Sequence, residues 1–282
     1  MNKLFFIRCS TIALMTIALS ACGPSKTENK EEKNAETSVT PAYDFTHPAQ
    51  EMKLAKSLKE ISGLSYYKDN LLMCINDEEG KVFIYDFAKE AIIDEIKFGK
   101  AGDYEGIELV GEQVFVMKSN GKIKVLSLKN DSEREIDCTN EDVVEYEGLG
   151  YDASTNSLLI ATKEHTKTKD QEKMIYSYSL AKQELNKRLI ITKNMVTGQN
   201  GKADFRPSGI AVHPLTNDIY IVASQGKKLL VLTKEGAKKS LIELDDKLFR
   251  QPEGICFTPD GNLYIASEGG DKKGYILSFM YK

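Results

Sequence analysis

Five residues of this 282-residue chain occupy equivalent places in a repeated phrase: Ser62, Glu105, Glu147, Ser208 and Glu253 each stand directly before a glycine. Those glycines, Gly63, Gly106, Gly148, Gly209 and Gly254, recur at intervals of 43, 42, 61 and 45 residues. Three carboxylates brought around one axis repel each other unless a cation or a proton resolves the conflict. Together with two serine hydroxyls they make an all-oxygen donor set, which suits Ca²⁺ with its six to eight oxygens and flexible geometry. The residues expected to return to the same place are Asn76-Asp77, Lys118, Lys163-Glu164, Ser224-Gln225 and Glu268. Asp77 and Glu268 would extend the acidic ring, whereas Lys118 and Lys163 would turn it into a network of salt bridges. The residue types alone leave both readings open.

What must position these residues is a strand and its return. Pro252-Glu253-Gly254-Ile255-Cys256-Phe257 reads as a strand, Pro259-Asp260-Gly261-Asn262 as a tight turn, and Leu263 to Glu268 as the strand back. Pro presets φ at the first corner of such a turn and Gly accepts the positive φ that follows. The phrase recurs at Pro207-Ser208-Gly209-Ile210 and Tyr146-Glu147-Gly148-Leu149, and in weaker form at Tyr104-Glu105-Gly106-Ile107 and Ile61-Ser62-Gly63-Leu64. A unit of ~40–45 residues made only of short strands is the signature of a propeller blade. The expected fold is therefore all-β, a five-bladed β-propeller with four antiparallel strands per blade. If the glycine-bearing strands are innermost, their starts ring one mouth of the central channel. The glycines then read as packing devices that let inner strands crowd the axis.

The 61-residue interval holds a third blade enlarged by polar stretches at 164–173 and 193–206, lengths that are often functional in a compact domain. The last blade offers only three strands. The alternating segment 49–54 is expected to supply its fourth and so close the ring, removing open sheet edges.

Residues 1–22 read as an address: Met1-Asn2-Lys3 and Arg8 are charged, and 11–19 is apolar but too short for a comfortable membrane span. The stretch ends in Leu19-Ser20-Ala21-Cys22, which looks like a bacterial lipobox, so Cys22 is expected to carry lipid and to tie the protein to the membrane of the bacterial cell envelope, the outer membrane by preference. Residues 23–42 are poor in bulky apolar side chains and read as a flexible tether, leaving 43–282 as the propeller domain. Cys9 would leave with the signal. The remaining Cys74, Cys138 and Cys256 are odd in number, match no metal spacing and imply no disulfide framework. A net charge of −4 with no basic run among aromatics argues against nucleic acid as a partner.

Other constellations are absent: there is no G-x-S-x-G elbow, H-E-x-x-H helix or P-loop. His47, His165 and His213 read as solvated or turn histidines, with His165 of interest because it follows Lys163-Glu164. Asn76-Asp77-Glu78-Glu79-Gly80 is acidic but lacks the alternating oxygens of an EF-hand loop.

Taken in order, Glu60-Ile61-Ser62-Gly63-Leu64-Ser65, Asp103-Tyr104-Glu105-Gly106-Ile107-Glu108, Glu145-Tyr146-Glu147-Gly148-Leu149, Pro207-Ser208-Gly209-Ile210-Ala211-Val212-His213-Pro214 and Gln251-Pro252-Glu253-Gly254-Ile255-Cys256-Phe257 resemble the SdiA-regulated family over about residues 58–282. The resemblance implies a five-bladed propeller with a calcium site, in secreted or membrane-anchored bacterial proteins, and no established activity. It places the metal on Glu105, Glu147 and Glu253, and weights the carboxylates toward calcium; Ser62, Ser208, Asp77 and Glu268 are further candidate ligands from the residue reading. The expected role is a binding or sensing module at the envelope, taking a protein or small-molecule ligand at the channel mouth, rather than an enzyme. The rival is a calcium-dependent hydrolase of phytase, esterase or lactonase type at the same mouth. Lys118, Lys163, Lys167 and Lys169 would line its cationic cleft, and Glu164, His165 or Glu268 would be its base. Propellers host many unrelated functions, so the fold does not choose between them.

Overall fold

The structure, a computed structural model, describes residues 42–165 and 172–282. Cys22, tether residues 23–41, Lys167, Lys169 and the side chain of His165 lie outside the described residues.

Five four-stranded antiparallel sheets are arranged as the blades of a propeller. After the N-terminal strand β1 (Gln50–Lys53), blade 1 runs from the axis outward as β2 (Ile61–Lys68), β3 (Leu71–Asn76), β4 (Lys81–Asp86) and β5 (Ala91–Lys97). Blade 2 follows as β6 (Tyr104–Val110), β7 (Gln113–Lys118), β8 (Lys122–Ser127) and β9 (Glu133–Asp137). Blade 3 comprises β10 (Val143–Asp152), β11 (Ser157–His165), β12 (Lys173–Ser179) and β13 (Glu184–Ile191), and ends in the one-turn helix α1 (Lys193–Val196). Blade 4 is β14 (Arg206–Val212), β15 (Ile219–Gln225), β16 (Lys228–Leu232) and β17 (Lys238–Glu243). Blade 5 is β18 (Pro252–Phe257), β19 (Leu263–Ser267) and β20 (Tyr275–Phe279), completed on its outer edge by β1. The register Gln50↔Ser278 to Lys53↔Tyr275 makes this the expected closure of the ring by a strand from the other end of the domain.

The second strand of each blade is apolar along its middle, where it is buried on both faces. Successive side chains of a strand point to opposite faces, so each such strand feeds two different cores. In β3, Leu72 and Cys74 pack toward blade 5 while Met73 and Ile75 pack toward blade 2. In β15, Ile219 and Ile221 meet blade 3 while Tyr220 and Val222 meet blade 5. Five apolar clusters result, one at each junction between neighbouring blades. The outer strands β5 and β9 are mostly exposed, in keeping with their charged sequences. Cys74, Cys138 and Cys256 are buried and free.

The repeated glycines are where the inner strands crowd together. A Cβ on Gly106 would lie 2.7 Å from Leu149 Cβ of the next inner strand, and one on Gly209 would lie 2.2 Å from the Glu253 carbonyl oxygen. Any side chain there would push two blades apart, so the glycines serve close approach around the axis.

Two local features add to the sequence reading. His213 does belong to a turn, its Nδ1 accepting the backbone N–H groups of Leu215 and Thr216 at 3.2 Å each, but it is fully buried rather than solvated. Its ring packs against Phe257 and Tyr281, with Tyr43 and Tyr220 beside them. The segment 193–206 is not an open loop: buried Lys228 gathers it by donating to the carbonyls of Val196, Lys202 and Asp204 at 2.8–3.0 Å.

Candidate metal centre

Each of the five residues before the glycines sits at a register shift in its inner strand. Ile61 pairs with Asn76 and Gly63 with Ile75, which leaves Ser62 as an extra residue on β2. The same shift isolates Glu105 between Tyr104 and Gly106, Glu147 between Tyr146 and Gly148, and Ser208 between Pro207 and Gly209. In β18 the shift falls between Pro252 and Ile255, around Glu253 and Gly254. A β-bulge bends the strand and re-aims a side chain. Here five bulges turn Ser62, Glu105, Ser208 and Glu253, with the backbone of Gly148 after Glu147, toward a narrow axial cavity of about 10 Å³, room for roughly one water.

At the upper mouth of this cavity the acidic groups converge. Carboxylate oxygens of Glu105, Glu145 and Glu147 all lie within 4.8 Å of one another. Glu253 feels the charges of both Glu147 and Glu268, and Glu268 those of Glu60 and Asp77. Burial, then the neighbouring Glu147 charge, holds the Glu105 carboxyl far above the carboxylate range. Burial raises Glu147 as well, and hydrogen bonding to Lys163 opposes the rise. Burial followed by Glu147 and Glu268 pushes Glu253 up to about 8, and burial followed by Glu60 and Asp77 pushes Glu268 up to about 7. Asp77 is also raised, by burial and then by Glu78 and Glu60.

Among the described residues, one cation enters this group. Lys163 Nζ lies 2.6 Å from Glu147 Oε1 and 3.1 Å from Glu145 Oε1. A register shift of its own, between Glu145↔Glu164 and Tyr146↔Thr162, leaves Lys163 as the extra residue on β11. Burial lowers the affinity of its amine for a proton, but the two glutamates outweigh burial and the net shift is upward. Lys118, the other expected neutraliser, instead lies over the Tyr104 ring at 5.1 Å, and among the described residues it forms no ion pair. Glu164 is held by Arg206 at 2.8 Å.

The remaining candidate ligands divide. The Ser208 hydroxyl is committed to the fold, donating to the Pro252 carbonyl at 2.7 Å and accepting from the Ser224 N–H at 3.1 Å. The Ser62 hydroxyl and Asp77 Oδ1 are buried with no hydrogen-bond partner among the described residues. Sequence reasoning missed Glu145, which lies two residues before Glu147 and faces Lys163. The signal available was the doubled acid in Glu145-Tyr146-Glu147, matched by Asp103-Tyr104-Glu105 one blade earlier.

The donor set contains only hard oxygen atoms, the chemistry of Ca²⁺ rather than of the softer transition metals. With ligands at 2.3–2.6 Å, oxygens sharing one Ca²⁺ lie at most about 5 Å apart, and the three glutamates satisfy that. The cluster can hold a hard cation such as Ca²⁺, in competition with the Lys163 ammonium that pairs with two of its carboxylates.

A family model described as SdiA-regulated matches residues 35–270. Among functionally curated proteins, none matches the sequence. Solved structures with the same fold include glutaminyl cyclase from Myxococcus xanthus, at a TM-score of 0.60 and 12% identity, covering 83% of this chain and 95% of that one. They also include a luciferin-regenerating enzyme, at 0.53 and 11%, again covering 83% and 95%. A nidogen/laminin complex contains a third, at 0.52 and 16%, covering 74% and 72%. At these identities the likeness is one of fold.

Proposed function

The chain belongs to the SdiA-regulated family, and from that premise we propose that it is a lipid-anchored protein of the bacterial cell envelope whose propeller holds calcium at its upper mouth and acts as a binding or sensing module. The observation that carries the reading is the convergence of Glu105, Glu145 and Glu147 oxygens within 4.8 Å, against a single lysine among the described residues. Glu253 and Asp77 stand at the same mouth as further donors, and Ser62 brings an unpartnered buried hydroxyl. Bound calcium would supply positive charge to several strand starts at once. Blades 2, 3 and 5 would then be joined at the axis by their own carboxylates. Anchoring rests on Cys22, with the outer membrane as the location.

The test is thermal unfolding of the purified protein in millimolar calcium and in excess chelator at matched ionic strength. Calcium should raise the midpoint, and Glu147→Gln, which keeps the shape and removes the charge, should weaken that response. A midpoint indifferent to calcium in the wild type would reject the metal site. Cys22→Ser should release the protein from membranes, and a variant that still fractionates with membrane would reject the anchor.

A second reading has one observation in its favour: burial, then the Glu60 and Asp77 charges, push Glu268 up to about 7 in the calcium-free mouth, within the range of a general base. It is a calcium-dependent hydrolase at the same mouth. Turnover of phytate, phosphate esters or lactones that requires calcium and is lost in Glu268→Gln would favour it over a binding module.

A further inference from the structure

Away from the acidic mouth, on the same upper face, lies a recess of about 420 Å³ of the opposite charge. Three segments far apart in sequence build it: β1 contributes Lys53, the connection before β18 contributes Lys247 and Arg250, and the connection before β20 contributes Lys272 and Lys273. Glu51 is the one carboxylate in its lining, so five cations face one anion. Among the described residues none of the five cations forms an ion pair. In a chain of net charge −4 this concentration is a local reversal of sign.

One wall of the recess is fixed by hydrogen bonds, while its four lysines are exposed around it. Buried Tyr275 forms its base, donating its hydroxyl to the Leu248 carbonyl at 2.9 Å and accepting the Arg250 N–H at 3.0 Å. The Arg250 guanidinium lies 4.6 Å from the centre of the Tyr275 ring and donates through Nη2 to the Lys273 carbonyl at 3.1 Å. One of its five N–H groups is thereby spent and the planar fork is fixed, with donors left for an incoming ligand. The connection that carries Lys272 and Lys273 is pinned at both ends. Gly269 N–H donates to the Lys59 carbonyl at 2.8 Å, and a Cβ on Gly274 would lie 2.5 Å from the Leu58 carbonyl oxygen. Lining cations on fixed backbone repel each other when the site is empty, and an anion relieves that repulsion. An oriented arginine surrounded by lysines is the chemistry that recognises phosphate: the fork binds two oxygens and the ammonium groups supply charge. The volume is that of a small-molecule site.

We propose that this recess binds a multiply charged phosphate ligand, with Arg250 setting its orientation and Lys53, Lys247, Lys272 and Lys273 supplying counter-charge. Such groups occur in soluble metabolites and in anionic lipid headgroups, and the two sources are separable. The full chain, freed of calcium beforehand so that the probe cannot act by chelation, is titrated calorimetrically with tripolyphosphate at low salt. One saturable site is expected, with affinity falling as salt rises. Arg250→Gln should weaken it about tenfold or more, since it removes a charged bidentate contact. Because Arg250 also braces Tyr275, the double variant Lys272→Gln/Lys273→Gln serves as the independent check. Both side chains are exposed, the fold does not use them, and the double change should weaken binding by about fivefold or more. Lys97→Gln, on the outer strand of blade 1, should leave affinity unchanged. Sedimentation of the full chain carrying Cys22→Ser, and so lacking the acyl anchor, with phosphatidylglycerol vesicles forms the second arm. Vesicle binding that depends on Arg250 and is competed by tripolyphosphate assigns the phosphate to a headgroup, whereas tripolyphosphate binding without vesicle binding assigns it to a soluble ligand. Absence of saturable binding to either probe at millimolar concentration, or undiminished affinity in both variants, overturns the proposal.

Discussion

Replacing Lys163 by glutamine separates the two uses to which the acidic mouth can be put. Its Nζ lies 2.6 Å from Glu147 and 3.1 Å from Glu145, with the Glu147 side chain 4% exposed and that of Lys163 31% exposed. Removing one partner of a fully buried pair costs about 3–5 kcal/mol. With a third of the lysine in water, screening brings the expectation down to about 2 kcal/mol. In a domain of this size that corresponds to roughly 4–8 °C in Tm. Calcium at a hundredfold excess over Kd contributes about 2.7 kcal/mol to the folded state. In the variant the ion no longer competes with an ammonium group for Glu147. Thermal unfolding of both proteins, each in millimolar calcium and in excess chelator, reads the difference. In chelator the variant should melt roughly 4–8 °C below the wild type. Calcium should shift the variant more than the wild type, so that the two midpoints converge. An equal deficit in both buffers, with neither protein responding to calcium, would refute the metal reasoning and leave Lys163 as a salt bridge that serves the fold.

Three further outcomes are expected. Gly209→Ala places a Cβ 2.2 Å from the Glu253 carbonyl oxygen and should cost about 3 kcal/mol through overpacking, whereas Gly111→Ala, with open space around it and a strained φ of +59°, should cost less; chemical denaturation of the two variants compares them. Burial pushes the Glu108 carboxyl up to about 7, against hydrogen bonds from Ser65 at 2.8 Å and the Leu109 N–H at 3.0 Å. A folded-state pKa above the unfolded one stabilises below the unfolded value and is lost as pH rises through the folded value, so this group should withdraw up to about 3 kcal/mol between pH 4.5 and 7; Glu108→Gln should flatten that slope in calcium-saturated denaturant titrations, and an unchanged slope would count against it. Deletion through residue 58 removes β1 and should lower the unfolding midpoint strongly, while deletion through residue 40 should leave it nearly unmoved; equal midpoints would show that β1 contributes nothing to closure.

Much of the architecture was legible in the chain itself. The phrase ending in Gly63, Gly106, Gly148, Gly209 and Gly254 carries the blade count, because each blade must present a residue without a side chain where inner strands meet. The alternation around Met52 carries the closure, because a lone edge strand with one buried face can only complete a sheet. Both are local patterns repeated along one strand, and period and composition record them directly. The site is different. Each of Ser62, Glu105, Glu147 and Ser208, and Glu253 with its glycine, stands at a bulge, and a bulge is a property of two paired strands. No reading of one strand shows which residue its partner leaves unmatched. For the same reason Lys163 and Lys118, alike in sequence position, part ways: one is the extra residue beside Glu145 and Glu147, and the other pairs regularly and rests on Tyr104. Ser208 matched Ser62 in the repeat, yet a carbonyl of the next blade claimed its hydroxyl. The basic recess belongs wholly to the tertiary structure, since Lys53 meets Lys272 and Lys273 only because the first strand of the domain pairs with the last. Sequence determined which groups were available and how often they recur. Long-range register decided which of them face one another, because it is set by packing between blades and not by any segment alone.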